Sequence, residues 1–313
     1  MAKAMRFLAI AGTLDRVYAN GYTFQRMVVT DLDGTLFQQR SPPSAADRRP
    51  SPRNLRTLLR LGGQGRLRVI ATGRNLFSAR KVLPSDFPVD YVLFSSGAGV
   101  MDWPAQKLLR AVTMSREEVA QAFQALASRG LDFMVHRPIP ENHYFRFYST
   151  GGDNPDFEAR KAVYAPFASA GDLREPPSEA CQLLAVEPAG RRSSAYEAVR
   201  ADLAGLTVLR STSPLDGCSL WIEVFPAAAS KSKAAAWLAR EQGVNAQGVL
   251  AVGNDYNDLD LLEWAAARCL VAGSPPELAA RFPVASSGDD SDFAEAVEAW
   301  ERGGLRGGPA GRR

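Results

Sequence analysis

The chain has 313 residues, of which 46% are hydrophobic and 23% charged, so its composition is that of a globular protein and its length allows two domains. The formal net charge of +3, from 37 basic and 34 acidic residues, is too small to indicate nucleic-acid binding. No apolar run approaches the roughly 20 residues that span a bilayer, and the widely spaced Cys181, Cys218 and Cys269 favour reduced thiols. We therefore expect a cytoplasmic protein with no membrane partner, whereas its oligomeric state cannot be read from the sequence.

Predicted strands and helices alternate in the N-terminal third of the chain, which is typical of βαβ units and a parallel sheet. Residues 1–25 precede the first apolar strand, and we interpret them as an N-terminal extension. The predicted elements that follow are strand 27–31, helix 53–62, strand 68–72, helix 75–83 and strand 90–95.

The pattern changes after about residue 97 and indicates a second α/β domain inserted into the first. Ser115 is predicted to begin a helix, with Glu118 completing a capping box and Gly130 ending the helix. The predicted elements that follow are strands 131–137 and 143–149, helix 155–169, strand 182–187, helix 193–204 and strands 207–212 and 219–225.

The first pattern then resumes with helix 231–242, strand 249–253, helix 258–267, strand 269–272 and helix 275–281. The predicted fold class is therefore α/β, with a Rossmann-like parallel-sheet core formed by residues 26–112 and 225–302. Residues 113–224 form the predicted inserted domain. Residues 303–313 are rich in Gly, Arg and Pro, which predicts a disordered tail.

Two carboxylates, Asp31 and Asp33, end the first predicted strand at positions i and i+2. In an extended strand this spacing places both side chains on one side. Like charges this close repel unless a cation or a proton holds them, and ligands of open α/β sheets bind beyond the carboxyl ends of the strands. The pair therefore indicates a metal site, although a strand that runs into an Asp-Gly turn is the simpler alternative.

Two further strings have a composition suited to phosphate. Thr72-Gly73-Arg74 follows an apolar strand, and a hydroxyl with backbone N–H groups at such a turn can hold phosphate oxygens, although Thr-Gly turns are common. Ser230 is a good helix N-cap, which places Lys231 in the first helical turn. A cation is disfavoured there by the helix dipole, so Lys231 indicates a nearby anion unless it is simply solvated.

The string Gly253-Asn-Asp-Tyr-Asn-Asp258 places oxygen-bearing side chains at the end of another predicted strand. Hard oxygen ligands suit Mg²⁺, which prefers octahedral oxygen coordination and keeps several waters. The alternative is an Asx-rich turn in which Asp258 caps the next helix.

These four strings occur in an order that resembles the motifs of the haloacid dehalogenase-like (HAD) hydrolases. The contexts Ser51-Pro-Arg-Asn54, Ser95-Ser-Gly-Ala98 and Glu223-Val-Phe-Pro226 resemble the Cof-type subgroup, and the insertion resembles its C2-type cap. Sucrose-phosphate phosphatase-like proteins are among these relatives. The chain departs from the family pattern at Asn254, where the family usually has a metal-binding Asp, and this departure implies weaker metal binding.

The resemblance implies a Mg²⁺-dependent phosphatase that forms an aspartyl phosphate. Asp31 is the implied nucleophile, Asp33 the general acid and base, and Thr72 and Lys231 the groups that stabilise phosphate charge. The implied phosphate-binding set also contains Gly34, Gly73, Arg74 and Asn257. The implied metal ligands are Asp31, the main-chain carbonyl of Asp33 and Asn254, with Asp255 or Asp258 as the source of a further carboxylate.

The expected substrate is a small phosphate ester, and a sugar phosphate is favoured by the composition of one segment of the insertion. Residues 136–146 combine hydrogen-bonding side chains with aromatic residues, which suits a hydroxylated ligand, and we take His143 and Arg146 as candidate binding residues. A half-exposed sheet face would have the same composition. Two other functions remain open, namely a sugar phosphomutase and a non-catalytic metabolite-binding relative with a weakened metal site.

Overall fold

The computed structural model of the protein describes residues 26–37, 49–190 and 195–305. The predicted N-terminal extension and residues 306–313 of the predicted tail lie outside this part of the chain. Within these ranges, every helix is too short or too polar to cross a bilayer.

The described strands, in chain order, are β1 (Met27–Thr30), β2 (Leu67–Ala71), β3 (Tyr91–Phe94), β4 (Gly99–Asp102), β5 (Lys107–Ala111), β6 (Asp132–His136), β7 (Phe145–Tyr148), β8 (Ala168–Ala170), β9 (Gln182–Glu187), β10 (Thr207–Thr212), β11 (Leu220–Phe225), β12 (Val249–Gly253), β13 (Ala267–Val271) and β14 (Val284–Ala285). The described α-helices are α1 (Pro52–Gly63), α2 (Leu76–Arg80), α3 (Arg116–Ala127), α4 (Pro155–Val163), α5 (Tyr196–Asp202), α6 (Lys231–Glu241), α7 (Leu259–Trp264), α8 (Pro276–Ala279) and α9 (Asp292–Glu301).

The core sheet has eight strands within the described ranges, in the order β14-β13-β12-β1-β2-β3-β4-β5. The strands from β14 to β3 are parallel to their neighbours, whereas β3, β4 and β5 form an antiparallel meander. β1 is central, and all four of its residues are buried because helices cover both faces of the sheet. Helices α1 and α9 pack on one face, and α6, α7 and α8 pack on the other.

The cap sheet is formed by the strands between β5 and β12, in the order β10-β11-β9-β6-β7-β8. Its neighbours are antiparallel except for the parallel pair β7 and β8. Helices α3 and α5 cover one face with a shared apolar cluster. The predicted fold class, a Rossmann-like α/β core with an inserted α/β domain, is confirmed.

The opposite face of the cap sheet meets the core domain. Phe225 and Cys181 pack against Ala98 and Ala229 in one buried cluster. Phe77, on α2 of the core domain, packs against a second cluster on the same cap face. Because the first residues of α2 follow directly on Arg74, this contact brings the cap sheet over the ends of the core strands.

The sequence analysis did not predict β14, and its prediction differs from the structure in three further places. The helix predicted over 155–169 ends at Val163, because Pro166 cannot continue an α-helix, and the chain then enters β8. The β4–β5 hairpin was not predicted, since β5 is half exposed and lacks a clear apolar alternation. Helix α9 was also not predicted, although its apolar residues Phe293, Val297 and Trp300 have helical spacing.

Candidate active site

The carboxyl ends of three parallel strands bring the predicted site residues together. β1 pairs with β12 on one side and with β2 on the other, so Asp31, Thr72 and Asn254 follow neighbouring strands. The backbone N–H of Asp31 donates to the carbonyl oxygen of Val252 at 2.9 Å, which fixes the start of the Asp31 turn against β12.

Lys231 lies between two carboxylates, Asp31 and Asp258. Its Nζ donates to Oδ1 of Asp31 at 2.7 Å and to Oδ1 of Asp258 at 2.6 Å. The side chains of Lys231 and Asp258 have no exposed surface, and that of Asp31 is 7% exposed. The Ser230 hydroxyl accepts from the backbone N–H of Lys233 and caps α6, as predicted, which directs Lys231 into the core.

The electrostatics of the triad formed by Lys231, Asp31 and Asp258 favour a charged lysine. Burial alone lowers the pKa of Lys231, but Asp258 and Asp31 more than offset it, so the pKa of the ammonium is raised above its ordinary value. Burial raises the pKa of Asp31 to about 7, Lys231 lowers it and Asp258 raises it. The net charge of the triad is −1 when both carboxylates are ionised, so it can accept a further cation.

Asp258 acts as a positioning residue for Lys231. Its Oδ2 accepts from the backbone N–H groups of Asn254 at 2.9 Å and Asp255 at 3.3 Å, while Oδ1 accepts from Lys231. A Cβ at Gly253 would lie 2.6 Å from the Asp258 carboxyl carbon, so glycine permits this approach. The Asp258 side chain does not cap α7, contrary to the alternative left open by the sequence.

Asp33 is held by Arg74 through two hydrogen bonds. Nε and a terminal nitrogen of the guanidinium donate to the two carboxylate oxygens, each at 2.6 Å. The Arg74 backbone N–H donates to the buried Thr72 hydroxyl at 3.1 Å. Arg74 therefore links the second motif to the first and lies where it can contact an anion bound at Asp31.

Asn254 and Asn257 lie beside the glycines of the first two motifs. Gly34 has φ of +80°, and a Cβ there would overlap the Asn254 amide. A Cβ at Gly73 would lie 3.7 Å from the amide nitrogen of Asn257 and 3.7 Å from the hydroxyl of Ser96. The structure therefore brings the first, second and fourth motifs into one site.

Asp255 turns away from the site and toward the cap. Its Oδ2 accepts from the backbone N–H of Thr212 at 3.0 Å, and its Oδ1 accepts from the backbone N–H of Tyr256 at 2.8 Å. Arg210 lies 3.8 Å above the Tyr256 ring. Asp255 therefore joins the cap to the fourth motif, and both of its carboxylate oxygens already accept from backbone N–H groups.

The predicted metal ligands form no cluster of three or more His, Cys, Asp or Glu side chains anywhere in the described part of the chain. All four predicted carboxylates accept from protein donors, and both oxygens of Asp33, Asp255 and Asp258 do so. The predicted set that suits a metal is therefore the Asp31 carboxylate, the main-chain carbonyl of Asp33 and the Asn254 amide, whose chemistry is that of a hard oxygen site with few charges.

The two candidate residues of the insertion lie in different places. His143 stacks on Phe77 of α2, with ring centroids 4.7 Å apart, and therefore lies where cap and core meet. Arg146 is exposed and pairs with Val135, which belongs to the cluster covered by α3. Since opposite residues of an antiparallel pair share a face, Arg146 lies on the cap face that is turned away from the core.

Three residues of the cap were not among the sequence candidates. These are His136, Arg160 and Glu223. Strand pairing places His136 and Glu223 on the same face of the cap sheet as Phe225, which packs against the core, and Arg160 lies 4.5 Å above the Trp221 ring of that face. The sequence contains one indication of a functional role for Glu223, because it is a single acidic residue between the apolar residues Ile222 and Val224. Only the strand pairing shows which face it occupies.

Comparison with solved structures shows which proteins share this fold. The chain resembles, in fold, the phosphatase BT1666 from Bacteroides thetaiotaomicron, with a TM-score of 0.66 and 19% identity over 92% of this chain and 99% of that one. The subclass IIB sugar phosphatase BT4131 has a TM-score of 0.65 and 16% identity, over 88% and 99% of the two chains. A haloacid dehalogenase-like hydrolase from B. subtilis has a TM-score of 0.67 and 17% identity, over 87% and 99%.

No curated protein matches the sequence. The family model of the haloacid dehalogenase-like hydrolases matches residues 28–291, which is most of the chain and includes all four motifs. The resemblance seen in the motifs is thereby confirmed, and the chain belongs to the haloacid dehalogenase-like hydrolase family.

Proposed function

We propose that the protein is a Mg²⁺-dependent phosphatase that hydrolyses a small phosphate ester, with sugar phosphates as the substrate class. The observation that carries this proposal is the buried contact between Lys231 and Asp31 at 2.7 Å. A fully buried ammonium beside a carboxylate at a strand end supplies both a nucleophile and a fixed positive charge for a phosphoryl group. The fold likeness to a sugar phosphatase of subclass IIB supports the same reading.

In the proposed reaction, an Asp31 carboxylate oxygen attacks phosphorus and the bond to the leaving oxygen breaks. Asp33 gives a proton to that oxygen and later takes one from the water that hydrolyses the aspartyl phosphate. Thr72 and Lys231 stabilise the charged phosphoryl oxygens, and each such donor contributes about 2.7–4 kcal/mol in well-studied enzymes.

The ion pair between Arg74 and Asp33 suggests how substrate binding makes Asp33 available as the general acid. Both Asp33 oxygens accept from Arg74, so the carboxylate is not free to donate a proton in this arrangement. An incoming phosphate offers Arg74 a more highly charged partner. We infer that substrate draws Arg74 from Asp33 and so releases Asp33 to reach the leaving oxygen.

The donors of the site fit Mg²⁺, although they carry fewer negative charges than a site with a further carboxylate. The Asp31 carboxylate, the main-chain carbonyl of Asp33 and the Asn254 amide are all oxygen donors, and Mg²⁺ completes such sets with water. When bound, the ion would offset repulsion between the Asp31 carboxylate and the anionic phosphate. Because Asn254 is neutral, we expect an affinity lower than that of a site with a carboxylate in its place.

The cap supports this chemistry by covering the site. Tyr164 accepts a hydrogen bond from Asn75 at 3.3 Å, and Asn142 donates to Ser95 at 2.6 Å. These contacts join the cap to the loops after β2 and β3. A closed cap excludes bulk water and strengthens every charge interaction inside.

Hydrolysis of p-nitrophenyl phosphate, with Mg²⁺ and then with EDTA, tests the proposal. We expect turnover that requires Mg²⁺ and is lost in Asp31→Asn. The matched control is Asp102→Asn, which alters another buried carboxylate of the core sheet and should retain turnover. Mass spectrometry after acid quench should find one phosphoryl group on the peptide that contains Asp31.

Three results would contradict the proposal in different ways. Turnover in Asp31→Asn equal to that of the unmodified chain would remove the nucleophile. Absence of turnover with every ester tested, despite Mg²⁺, would favour the non-catalytic relative. Conversion of a hexose 1-phosphate to its 6-phosphate with little free phosphate would favour the phosphomutase.

A further inference from the structure

The loop of the fourth motif, residues 254–258, is fixed on its core side by Asp258. This carboxylate accepts from two backbone N–H groups of the loop and from the buried ammonium of Lys231. The Asn254 amide, a predicted metal donor, belongs to the same short loop and lies against Gly34 of the first motif. The position of Asn254 therefore depends on whatever holds this loop.

On the opposite side, Asp255 joins the loop to the edge of the cap sheet. β10 is the terminal strand of that sheet within the described ranges, so N–H groups that point away from β11 need an acceptor outside the sheet. The N–H of Thr212, the last residue of β10, donates to Oδ2 of Asp255 at 3.0 Å. A carboxylate of the core thus completes the hydrogen bonding of a cap strand.

Tyr256 forms a second link between the loop and the cap. The Arg210 guanidinium of β10 lies 3.8 Å above the Tyr256 ring and 5.6 Å above the ring of Tyr196, on cap helix α5. The Tyr256 hydroxyl donates to Glu277 of core helix α8 at 3.0 Å. The aromatic ring is therefore held by the cap on its face and by the core at its hydroxyl.

The two links join consecutive residues of the loop to alternate residues of one cap strand. Asp255 and Tyr256 belong to the loop, Arg210 and Thr212 belong to β10, and we call these four residues the cap–loop contact. The contacts between cap and core described above reach the loops after β2 and β3. The cap–loop contact instead reaches the loop that carries Asn254.

A neutral metal donor makes the position of this loop important. Asn254 stands where a carboxylate would attract a divalent ion more strongly, and the carboxylate of the next residue, Asp255, is already bonded to protein N–H groups. With less charge to attract the ion, affinity depends more on donors that are in place before the ion arrives. A loop that is held from both sides provides that arrangement.

We propose that the cap–loop contact couples the cap to the metal site, so that the cap raises the affinity for Mg²⁺ by holding Asn254 in place. This inference rests on the Mg²⁺ requirement in the proposed function. Because linked binding equilibria are reciprocal, Mg²⁺ must stabilise the cap–loop contact by the same factor. Asp255 is then a positioning residue, which acts through Asn254 and does not touch the ion.

Titration calorimetry of the full-length protein with Mg²⁺, in the absence of substrate, measures this affinity directly. Two variants break the contact from the cap. Arg210→Met removes the cation, and Thr212→Pro removes the N–H at an edge position where proline is tolerated. Asp255→Ala breaks the contact from the loop. The matched control is Arg129→Met, which removes a cap arginine that pairs with Asp202 inside the cap at 2.6 Å.

Each of the three contact variants should raise the Kd for Mg²⁺ about 3- to 10-fold, the size expected for the loss of one such interaction. Arg210→Met combined with Asp255→Ala should raise it by less than the product of the single effects, because both act through the same loop. Arg129→Met should leave the Kd within about twofold of its value in the unmodified chain.

Hydrogen exchange gives a second measurement that does not depend on turnover. In the unmodified chain, saturating Mg²⁺ should slow exchange at the Thr212 amide about 3- to 10-fold, as reciprocity requires. Amides of α3, which lies on the cap face turned away from the core, should exchange at the same rate with and without Mg²⁺. In Asp255→Ala the effect of Mg²⁺ on the Thr212 amide should disappear.

The cap-side variants decide between positioning and direct ligation. A Kd that rises in Asp255→Ala but is unchanged in both Arg210→Met and Thr212→Pro would overturn the coupling and make Asp255 a metal ligand. An unchanged Kd in all three variants, an equal rise in Arg129→Met, or exchange at Thr212 that ignores Mg²⁺ would overturn it as well. Failure of the proposed function has a different signature, because the unmodified chain would then neither bind Mg²⁺ nor hydrolyse p-nitrophenyl phosphate.

Discussion

Substitution of Lys231 by Met should destabilise the fold strongly, because it leaves two carboxylates buried without their cation. Lys231 Nζ lies 2.7 Å from Asp31 and 2.6 Å from Asp258, and none of the three side chains is more than 7% exposed. Coulomb's law with an effective dielectric constant of about 20 gives roughly 6 kcal/mol for one charge pair at this separation. The desolvation already present in the folded state offsets part of this energy, and breaking buried pairs typically costs about 3–5 kcal/mol.

We expect Lys231→Met to lower the free energy of unfolding by that amount, measured by urea unfolding with tryptophan fluorescence at pH 8.5 in EDTA. Asp31→Asn should raise stability in both backgrounds, and by more when Lys231 is absent. In the unmodified chain the ionised Asp31 is already unfavourable at pH 8.5, because its folded-state pKa is raised to about 7 even with Lys231 beside it. In the Lys231→Met background it relieves repulsion between Asp31 and Asp258 and should restore stability.

The penalty of Lys231→Met should also shrink as pH falls. The folded-state pKa of Asp31 is about 7, against 3.8 for an ordinary aspartate, so the folded state binds a proton that the unfolded chain does not. Stability therefore rises as pH falls through 7, and more so without Lys231, which lowers that pKa. A loss under about 1 kcal/mol for Lys231→Met, or further destabilisation on adding Asp31→Asn, would refute this account of the triad.

Three further predictions concern single positions. Asn254→Asp adds a carboxylate to the site, so Mg²⁺ should bind on the order of tenfold more tightly by titration calorimetry; an unchanged affinity would exclude Asn254 as a ligand. Gly34→Ala and Gly65→Ala both force alanine into a left-handed conformation, at φ of 80° and 68°, and should each cost about 1–2 kcal/mol. Only Gly34→Ala should also abolish phosphatase activity, since a Cβ at Gly65 meets nothing within 4 Å whereas one at Gly34 overlaps Asn254; equal activities would argue against that contact. The unfolded chain protonates His136 below pH 6.5 whereas the folded ring has a pKa of about 3, so stability should fall by about 2 kcal/mol from pH 7.5 to pH 5 through this group alone. Urea unfolding of His136→Phe should therefore show a loss of unfolding free energy between pH 7.5 and pH 5 that is about 2 kcal/mol smaller than in the unmodified chain. An equal loss in the two proteins would contradict the assignment.

The sequence was informative wherever a property depends on a few consecutive residues. The capping box of Ser115 and Glu118 and the N-cap at Ser230 are local hydrogen bonds, and the structure forms both. The alternation of strands with helices predicted the α/β class, since that pattern depends on side-chain periodicity alone. The motif strings likewise predicted the family, which the family model confirms.

The sequence was least informative about partners that lie far apart in the chain. Asp255 and Asp258 are both acids in one short string, yet one contacts the cap through Thr212 and the other holds Lys231. Their local sequence gives no basis for separating these roles. Similarly, His136 and Arg146 belong to one polar segment, but strand pairing places Arg146 on the opposite face of the cap sheet.

By itself, then, the amino-acid order determined which chemical groups stand at each strand end, because a run of neighbouring residues sets both backbone preference and side-chain type. Tertiary structure alone decided which of those groups meet, which carboxylate oxygens remain for a metal, and which cap side chains face Asp31. Those outcomes depend on sheet order and on packing between domains, where residues 200 positions apart in sequence, such as Asp31 and Lys231, come into hydrogen-bond contact.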